Sequence, residues 1–430
     1  MMYVQQCRSI ILTNRRYLVD SQKKTDCLFY IRGIVFLIDN IERIRYYKGE
    51  DYNYLKTIKK GCLHMENHIS NIYIKSFRGI KDLELDNLQP INILTGDNNC
   101  GKTSVLEVIQ SFKNPDRVYD WRTITRSQNS GIRVGMSIYE GFYDLFDINE
   151  DEKKIKYDIT LLDGEKHNVA LSAVEVQEEL SQREYEKILG LSTIENTEDI
   201  CDGTQMVSKL DLKVEIDGNR ESSYSVYDGQ IRMPLQLMKT KNSRDIIYIS
   251  PVRHAEGDVF LSRILEHPDL YEQMLLVLRD YDEDIISINY DTENSHMRRG
   301  IYKILSKSHK KALPLNVYGD GMKKAILLMS AVIAAKDGIL LLDEFETAIH
   351  TSAMEKTFKW ILETCIKMNV QVFLTSHSKE AIDKLLKCSS LCTDKMAVYT
   401  LYKDEEGSAV RRLDGRKAIK VQDKMGLELR

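Results

Sequence analysis

Gly96-Asp97-Asn98-Asn99-Cys100-Gly101-Lys102-Thr103 fits the pattern G-x-x-x-x-G-K-[ST], and the reading of the whole chain works outward from it. The glycines let the backbone curl so that its N–H groups, at the positive end of the following helix, point at phosphate oxygens. In that pattern Lys102 reaches the β- and γ-phosphates of a bound nucleotide, and the Thr103 hydroxyl ligates Mg²⁺. The neighbours agree. Ile91-Asn92-Ile93-Leu94 is a short apolar strand feeding the loop, and Ser104 to Phe112 (SVLEVIQSF) has helical spacing after it. The phosphate cradle is therefore expected to comprise Gly96, Asn98, Asn99, Gly101, Lys102, Thr103 and Ser104.

Downstream, Leu340-Leu341-Leu342-Asp343-Glu344 is the second half that such a loop requires. An apolar strand ends in an aspartate placed to hold the Mg²⁺ shell, and the adjacent glutamate can polarise an attacking water. A third strand, closing in Leu374-Thr375-Ser376-His377-Ser378, puts His377 where it could sense a γ-phosphate. Before the Asp343 strand, Tyr318-Gly319-Asp320-Gly321-Met322-Lys323-Lys324 is a glycine-rich turn opening a helix, so Gly319 and Gly321 offer a second anion site. Lys102 and Asp343 are 241 positions apart, far more than a small phosphate-binding fold needs, so a sizeable segment is inserted between the two halves.

The last third alternates helix and strand: helix 322–336, strand 339–342, helix 354–368, strand 370–375 and helix 379–386. That alternation implies a mostly parallel, buried sheet. Upstream of the loop, Ile72, Ile74, Leu83 and Leu85 alternate with polar residues around Arg78-Gly79, as in an antiparallel pair. The middle is mixed. Strand-like segments at 155–162 and 210–216 adjoin turns at Asp163-Gly164 and Asp217-Gly218, while 173–189 reads as a polar helix and the chain after Pro251 as mainly helical to Lys311. Turns at this density exclude a long coiled-coil arm and favour a compact lobe.

The chain has 430 residues with a net charge of −4, near-ordinary composition and eight scattered cysteines. This argues for a folded protein of two or three domains in a reducing, cytoplasmic compartment, and against histone-like binding of nucleic acid. Cys388 and Cys392 are the only close pair, and no histidine nearby completes a zinc site. No apolar run is long enough for a membrane span, and the first one lacks a cleavage pattern. The first 64 residues carry +6, leaving −10 on the remainder. Met65, where a tidier pattern begins, is expected to be the native start, with 1–64 an upstream extension or a small accessory helix.

On these motifs, together with Phe77-Arg78-Gly79, Glu346 and His350, the chain from about 65 onward resembles ABC-class AAA-family ATPases of the RecF/SMC/OLD-like group. The resemblance implies an α/β fold: a P-loop NTPase core of ABC type with a mixed or parallel sheet, plus an inserted α+β lobe. The boundaries expected are 65–114 and 312–430 for the two halves of the core and 115–311 for the lobe. It implies ATP and Mg²⁺ as cofactors, with Lys102, Glu344 and His377 catalytic and Thr103 and Asp343 on the metal. Self-association into a head-to-tail dimer, or a higher oligomer, would bring the Gly319–Gly321 turn of one protomer to the phosphates of the other. Two departures stand out: Gly319 replaces the usual signature serine, and Thr347-Ala348 stand where relatives often have Asn-Gly.

For biological role the resemblance implies an ATPase of prokaryotic antiphage defence that works with a separate nuclease effector, HNH or TOPRIM-like. The alternative is a RecF-type repair protein gripping DNA, with Arg298, Arg299, Lys303, Lys307, Lys310 and Lys311 as candidate phosphate contacts. A nuclease within the chain itself does not fit. About 50 residues follow His377 without an Asp-x-Asp pair, and the acidic run 280–284 reads as a solvated loop.

Overall fold

The computed structural model describes residues 26–31, 34–39, 43–47, 68–125, 137–189, 203–230, 233, 244–251, 261–291, 301–403 and 407–425. They fall into two units, Met1–Leu63 and His64–Arg430. In the first, β1 (Asp26–Ile31), β2 (Ile34–Asp39) and β3 (Arg43–Tyr47) form an antiparallel sheet, so of the two alternatives for 1–64, an upstream extension or a small accessory helix, the described residues do not form the helix. Runs rich in Ile, Phe and Tyr favour a pleated surface. Met65 lies outside the described residues.

The second unit is built on two six-stranded sheets. β4 (Ile69–Phe77) and β5 (Ile80–Leu85) make the hairpin around Arg78-Gly79, and β6 (Ile91–Gly96) leads into the loop. α1 (Lys102–Ser111) follows. The antiparallel sheet then gains β7 (Lys154–Leu161), β8 (Lys166–Ser181), β9 (Thr204–Ile216) and β10 (Arg220–Tyr227), in the order β10-β9-β8-β7-β4-β5. After β11 (Ile246–Ile249) come α2 (Pro268–Leu278) and a small sheet of β12 (Ile285–Asp291), β13 (Ile301–Ser306) and β14 (Leu313–Pro314).

The chain closes with α3 (Asp320–Ala334), β15 (Ile339–Leu342), α4 (Thr351–Lys367), β16 (Gln371–Thr375), α5 (Lys379–Lys387), β17 (Met396–Lys403), β18 (Ser408–Asp414) and α6 (Gly415–Met425). The second large sheet runs β11-β15-β16-β6-β17-β18; the first five strands are parallel and β18 is antiparallel. No helix among the described residues is long and apolar enough to cross a membrane.

The central strands of the parallel sheet are buried on both faces, as their unbroken apolar runs require. Leu340 and Leu342 face the core made with α3 and α4, while Ile339 and Leu341 face the core shared with α1 and the antiparallel sheet. Val105, Leu106, Val108 and Ile109 of α1 therefore sit in one core with Ile72, Ile74 and Leu83 of the other sheet. Each such fully buried aliphatic side chain stabilises the fold by about 1.5–3 kcal/mol.

Strand pairing does not follow the boundaries expected from the sequence. β4 pairs with β7 across residue 115, and β11, within 115–311, adds to the parallel sheet beside β15. Two segments read as helical are strands. Ala173 to Ser181 pairs with Thr204–Leu212, and only Gln182–Leu189 is helix. Ile285–Asp291 and Ile301–Ser306 form a hairpin with a bulge at Ile285/Ser287. In both cases long-range pairing overrides local helix propensity.

Candidate nucleotide site

Parallel strands of an open α/β sheet place their carboxyl ends along one edge, where ligands bind. Here the ends of β6, β15 and β16 are adjacent, because β16 pairs with both of the others. Register sets Leu342 against Leu374 and Thr375 against Leu94. Residues from three distant parts of the chain thus meet: the loop 96–103, the turn 343–346 and the turn 375–378.

The loop geometry demands its glycines. Gly96 has φ +133°, and a Cβ there would lie 2.1 Å from the Leu401 carbonyl oxygen. Gly101 has φ +102°, and its Cβ position is 2.9 Å from Ile80 Cδ1, so the first hairpin braces the loop. Asn99 also has a positive φ, of 61°, and Asn98 and Asn99 are exposed. Lys102 is buried and curls over the loop, donating to Gly96 O at 2.8 Å and Asp97 O at 2.7 Å. Ser104 lies buried in the first turn of α1. Arg78 is held below the hairpin turn by Glu107 at 3.5 Å and the Ile124 carbonyl at 3.0 Å.

Thr103 Oγ1 contacts both carboxylate oxygens of Asp343, at 3.1 and 3.2 Å. Asp343, 3% exposed, also accepts from Tyr248 Oη at 3.1 Å and Thr375 Oγ1 at 2.5 Å. A buried carboxylate held by hydroxyls, one of them the Thr of the loop, is a hard-oxygen donor set that fits Mg²⁺. Beside it, Glu344 Oε1 lies 3.6 Å from His377 Nε2, and both side chains are partly exposed. Glu344 has φ +43°, an uncommon conformation for a residue with a Cβ. Its neighbour Glu346 accepts on Oε1 from Ser376 Oγ at 2.7 Å, His377 N at 3.2 Å and Ser378 N at 3.3 Å.

Gly319 caps α3, with nothing within 4 Å of its Cβ position. Gly321 faces the turn after β15: its Cβ position is 2.9 Å from Ala348 O and 3.5 Å from Tyr281. His350 caps α4, accepting from Ser352 N. Of the basic residues considered for DNA, Lys303 pairs with Asp291, Lys307, Lys310 and Lys311 are exposed, and Arg298 and Arg299 lie outside the described residues. So does Arg253.

Sequence reasoning missed three residues that shape this site: Tyr248, Thr375 and Lys324. Lys324, on α3, has no exposed surface and donates from Nζ to Pro251 O at 3.4 Å. Burial lowers its pKa to about 8, against the opposing pull of Glu346, Asp343 and Glu344. A faint signal existed: Lys324 directly precedes the run Ala325–Ala335, which is apolar except for Ser330. Tyr248 and Thr375 gave none, since only register brings them to Asp343.

Residues 91–383 match the family described as "AAA domain, putative AbiEii toxin, Type IV TA system". A protein of Helicobacter pylori named ATP/GTP phosphatase is 25% identical over 336 residues, covering 74% of this chain and 87% of the relative. The DNA replication and repair protein RecF of Acinetobacter baumannii is 22% identical over 393 residues, 79% of this chain and 98% of RecF. Among solved structures, an SMC head bound to the C-winged helix domain of ScpA aligns with TM-score 0.44 at 12% identity, over 82% of this chain and 99% of the other. The family match spans the phosphate loop, the Asp343–Glu344 turn and His377, and the chain belongs to this AAA domain family.

Proposed function

We propose that this ATPase hydrolyses ATP with Mg²⁺ as a nucleotide-switched, head-to-tail dimer and gates a separate nuclease effector in antiphage defence. The observation that carries the catalytic part is the contact of Thr103 with Asp343 beside the Glu344–His377 pair. Lys102 and the loop amides hold the phosphates. Thr103 and Asp343 would hold Mg²⁺, which when bound supplies charge neutralisation at the phosphates. Glu344 orients a water and takes its proton as the water oxygen attacks the γ-phosphorus. The bond to the β-phosphate breaks, giving ADP and phosphate. His377 steadies the γ-phosphate, and the amides at Gly319–Gly321 of the second protomer close on it from the opposite side.

The relative named ATP/GTP phosphatase supports the hydrolytic reading. A family description that names a toxin of a type IV TA system supports a partnered role in conflict; the nuclease partner rests on fold-level analogy. Turnover and dimerisation of Glu344→Gln test the switch: the variant should bind ATP, stop hydrolysis and accumulate as dimer, and turnover near wild type would show the base misassigned. Phage plating with and without the neighbouring gene tests the partner, and full protection by this gene alone would overturn it.

A second reading is RecF-like action on DNA, favoured by the match along 98% of RecF. Duplex binding that weakens steeply with salt would support it.

A further inference from the structure

We propose that Thr375 is a positioning residue for hydrolysis, its hydroxyl setting both Asp343 and Glu344. Thr375 is the last residue of β16 and is fully buried. Its Oγ1 donates to Asp343 Oδ1 at 2.5 Å and accepts the Glu344 amide at 2.8 Å. Its carbonyl accepts the Phe345 amide at 3.3 Å. Three consecutive residues of the acidic turn are thus fastened to this threonine.

The fastening has a geometric consequence. Glu344 sits at φ +43°, a conformation that residues with a Cβ adopt when their surroundings impose it. The amide that Thr375 accepts belongs to this very residue, so the hydroxyl helps hold the backbone that aims the Glu344 carboxylate at His377. The same hydroxyl fixes the rotation of the Asp343 carboxylate that Thr103 contacts. One position further along both turns, Ser376 and the amides of His377 and Ser378 bind Glu346 Oε1. The ends of β15 and β16 are therefore clipped together over four residues, and Thr375 is the member of the clip that touches both acidic residues of the reaction.

Valine has the shape of threonine but neither donates nor accepts, whereas serine keeps the hydroxyl. A merely structural threonine would lower stability on substitution and leave the rate per folded molecule alone. A positioning threonine changes kcat with little change in nucleotide affinity, and raises the Mg²⁺ needed, because Asp343 loses a donor.

The inference rests on the roles given to Asp343 and Glu344, so Glu344→Gln is measured in parallel. Purified full-length Thr375→Val, Thr375→Ser and Ser330→Ala, the last losing a buried hydroxyl bonded within α3, are compared for ATP turnover, half-saturating Mg²⁺ and binding of a fluorescent ATP analogue. Thr375→Val should lose about tenfold or more in kcat while analogue affinity stays within about threefold, and Thr375→Ser should recover most of the rate. If valine is not accommodated, Thr375→Ala removes the same hydroxyl. Thr375→Val at the wild-type rate and Mg²⁺ requirement, with Glu344→Gln inactive, overturns the inference. So does serine as impaired as valine. Normal turnover in Glu344→Gln would instead overturn the reading beneath it.

Discussion

Thr103 Oγ1 lies 3.1 Å from Asp343 Oδ2, a contact that closes 240 positions of chain and joins the phosphate loop to the end of β15. Asp343 meets three hydroxyls, those of Thr103, Tyr248 and Thr375. An amide in its place would turn an NH₂ toward groups that are themselves donors. Asp343→Asn should therefore lower ATP turnover by about a hundredfold or more. A Mg²⁺ titration of turnover checks this, and activity within about threefold of wild type would remove Asp343 from the metal.

Lys102 spans the loop with two short hydrogen bonds to its carbonyls, placing an ammonium where phosphate oxygens would gather. Lys102→Ala should weaken binding of a fluorescent ATP analogue by about a hundredfold or more, since charge-assisted contacts to phosphate are the strong ones. Titration at fixed salt measures it. Wild-type affinity in the variant would shift the phosphates elsewhere.

The glycines separate into two kinds. Gly96→Ala meets both a left-handed φ and a backbone oxygen 2.1 Å away, and should destabilise the fold by more than about 3 kcal/mol. Gly319, the N-cap of α3 with φ −62° and open space around its Cβ position, should accept alanine at a cost of about 1 kcal/mol. Urea unfolding of the two variants gives the comparison. Equal costs would mean the contact with Leu401 is not as described.

Features that sequence made legible share one property: they are local. Gly96 to Thr103 advertises its turn through glycines, and Leu340 to Leu342 advertises a strand buried on both faces. The helix expected at 173–189 fails because Glu175, Gln177 and Glu179 favour helix locally, whereas the pairing of β8 with β9 places them on an exposed strand. Ile285 and Ile288 have helical spacing yet lie on a bulged strand. Around the site, Asp343, Glu344 and His377 stand out by residue type at strand ends. Tyr248 and Thr375 become neighbours of Asp343 only through the register of β11, β15 and β16, which no local pattern encodes.

Lys324 gives a prediction with a definite sign. Its pKa in the folded protein is about 8, below the ordinary 10.5, because burial strips the ammonium of water more than Glu346, Asp343 and Glu344 compensate. Below pH 8 the lysine is charged in both folded and unfolded chains, so the cost of burying the charge is fully present. Between about 8 and 10.5 the unfolded chain keeps a proton that the folded one releases, so this cost shrinks as pH rises. Above that window it is gone. Measured by urea unfolding without nucleotide, the wild type should gain on Lys324→Met by about 2 kcal/mol between pH 7.5 and 9.5. The comparison cancels the other groups that titrate there. A constant difference would mean that Lys324 keeps its charge throughout the window, held there by the carboxylates at the ends of β15, and that α3 is tied to the acidic turn by an ion pair rather than merely packed against it.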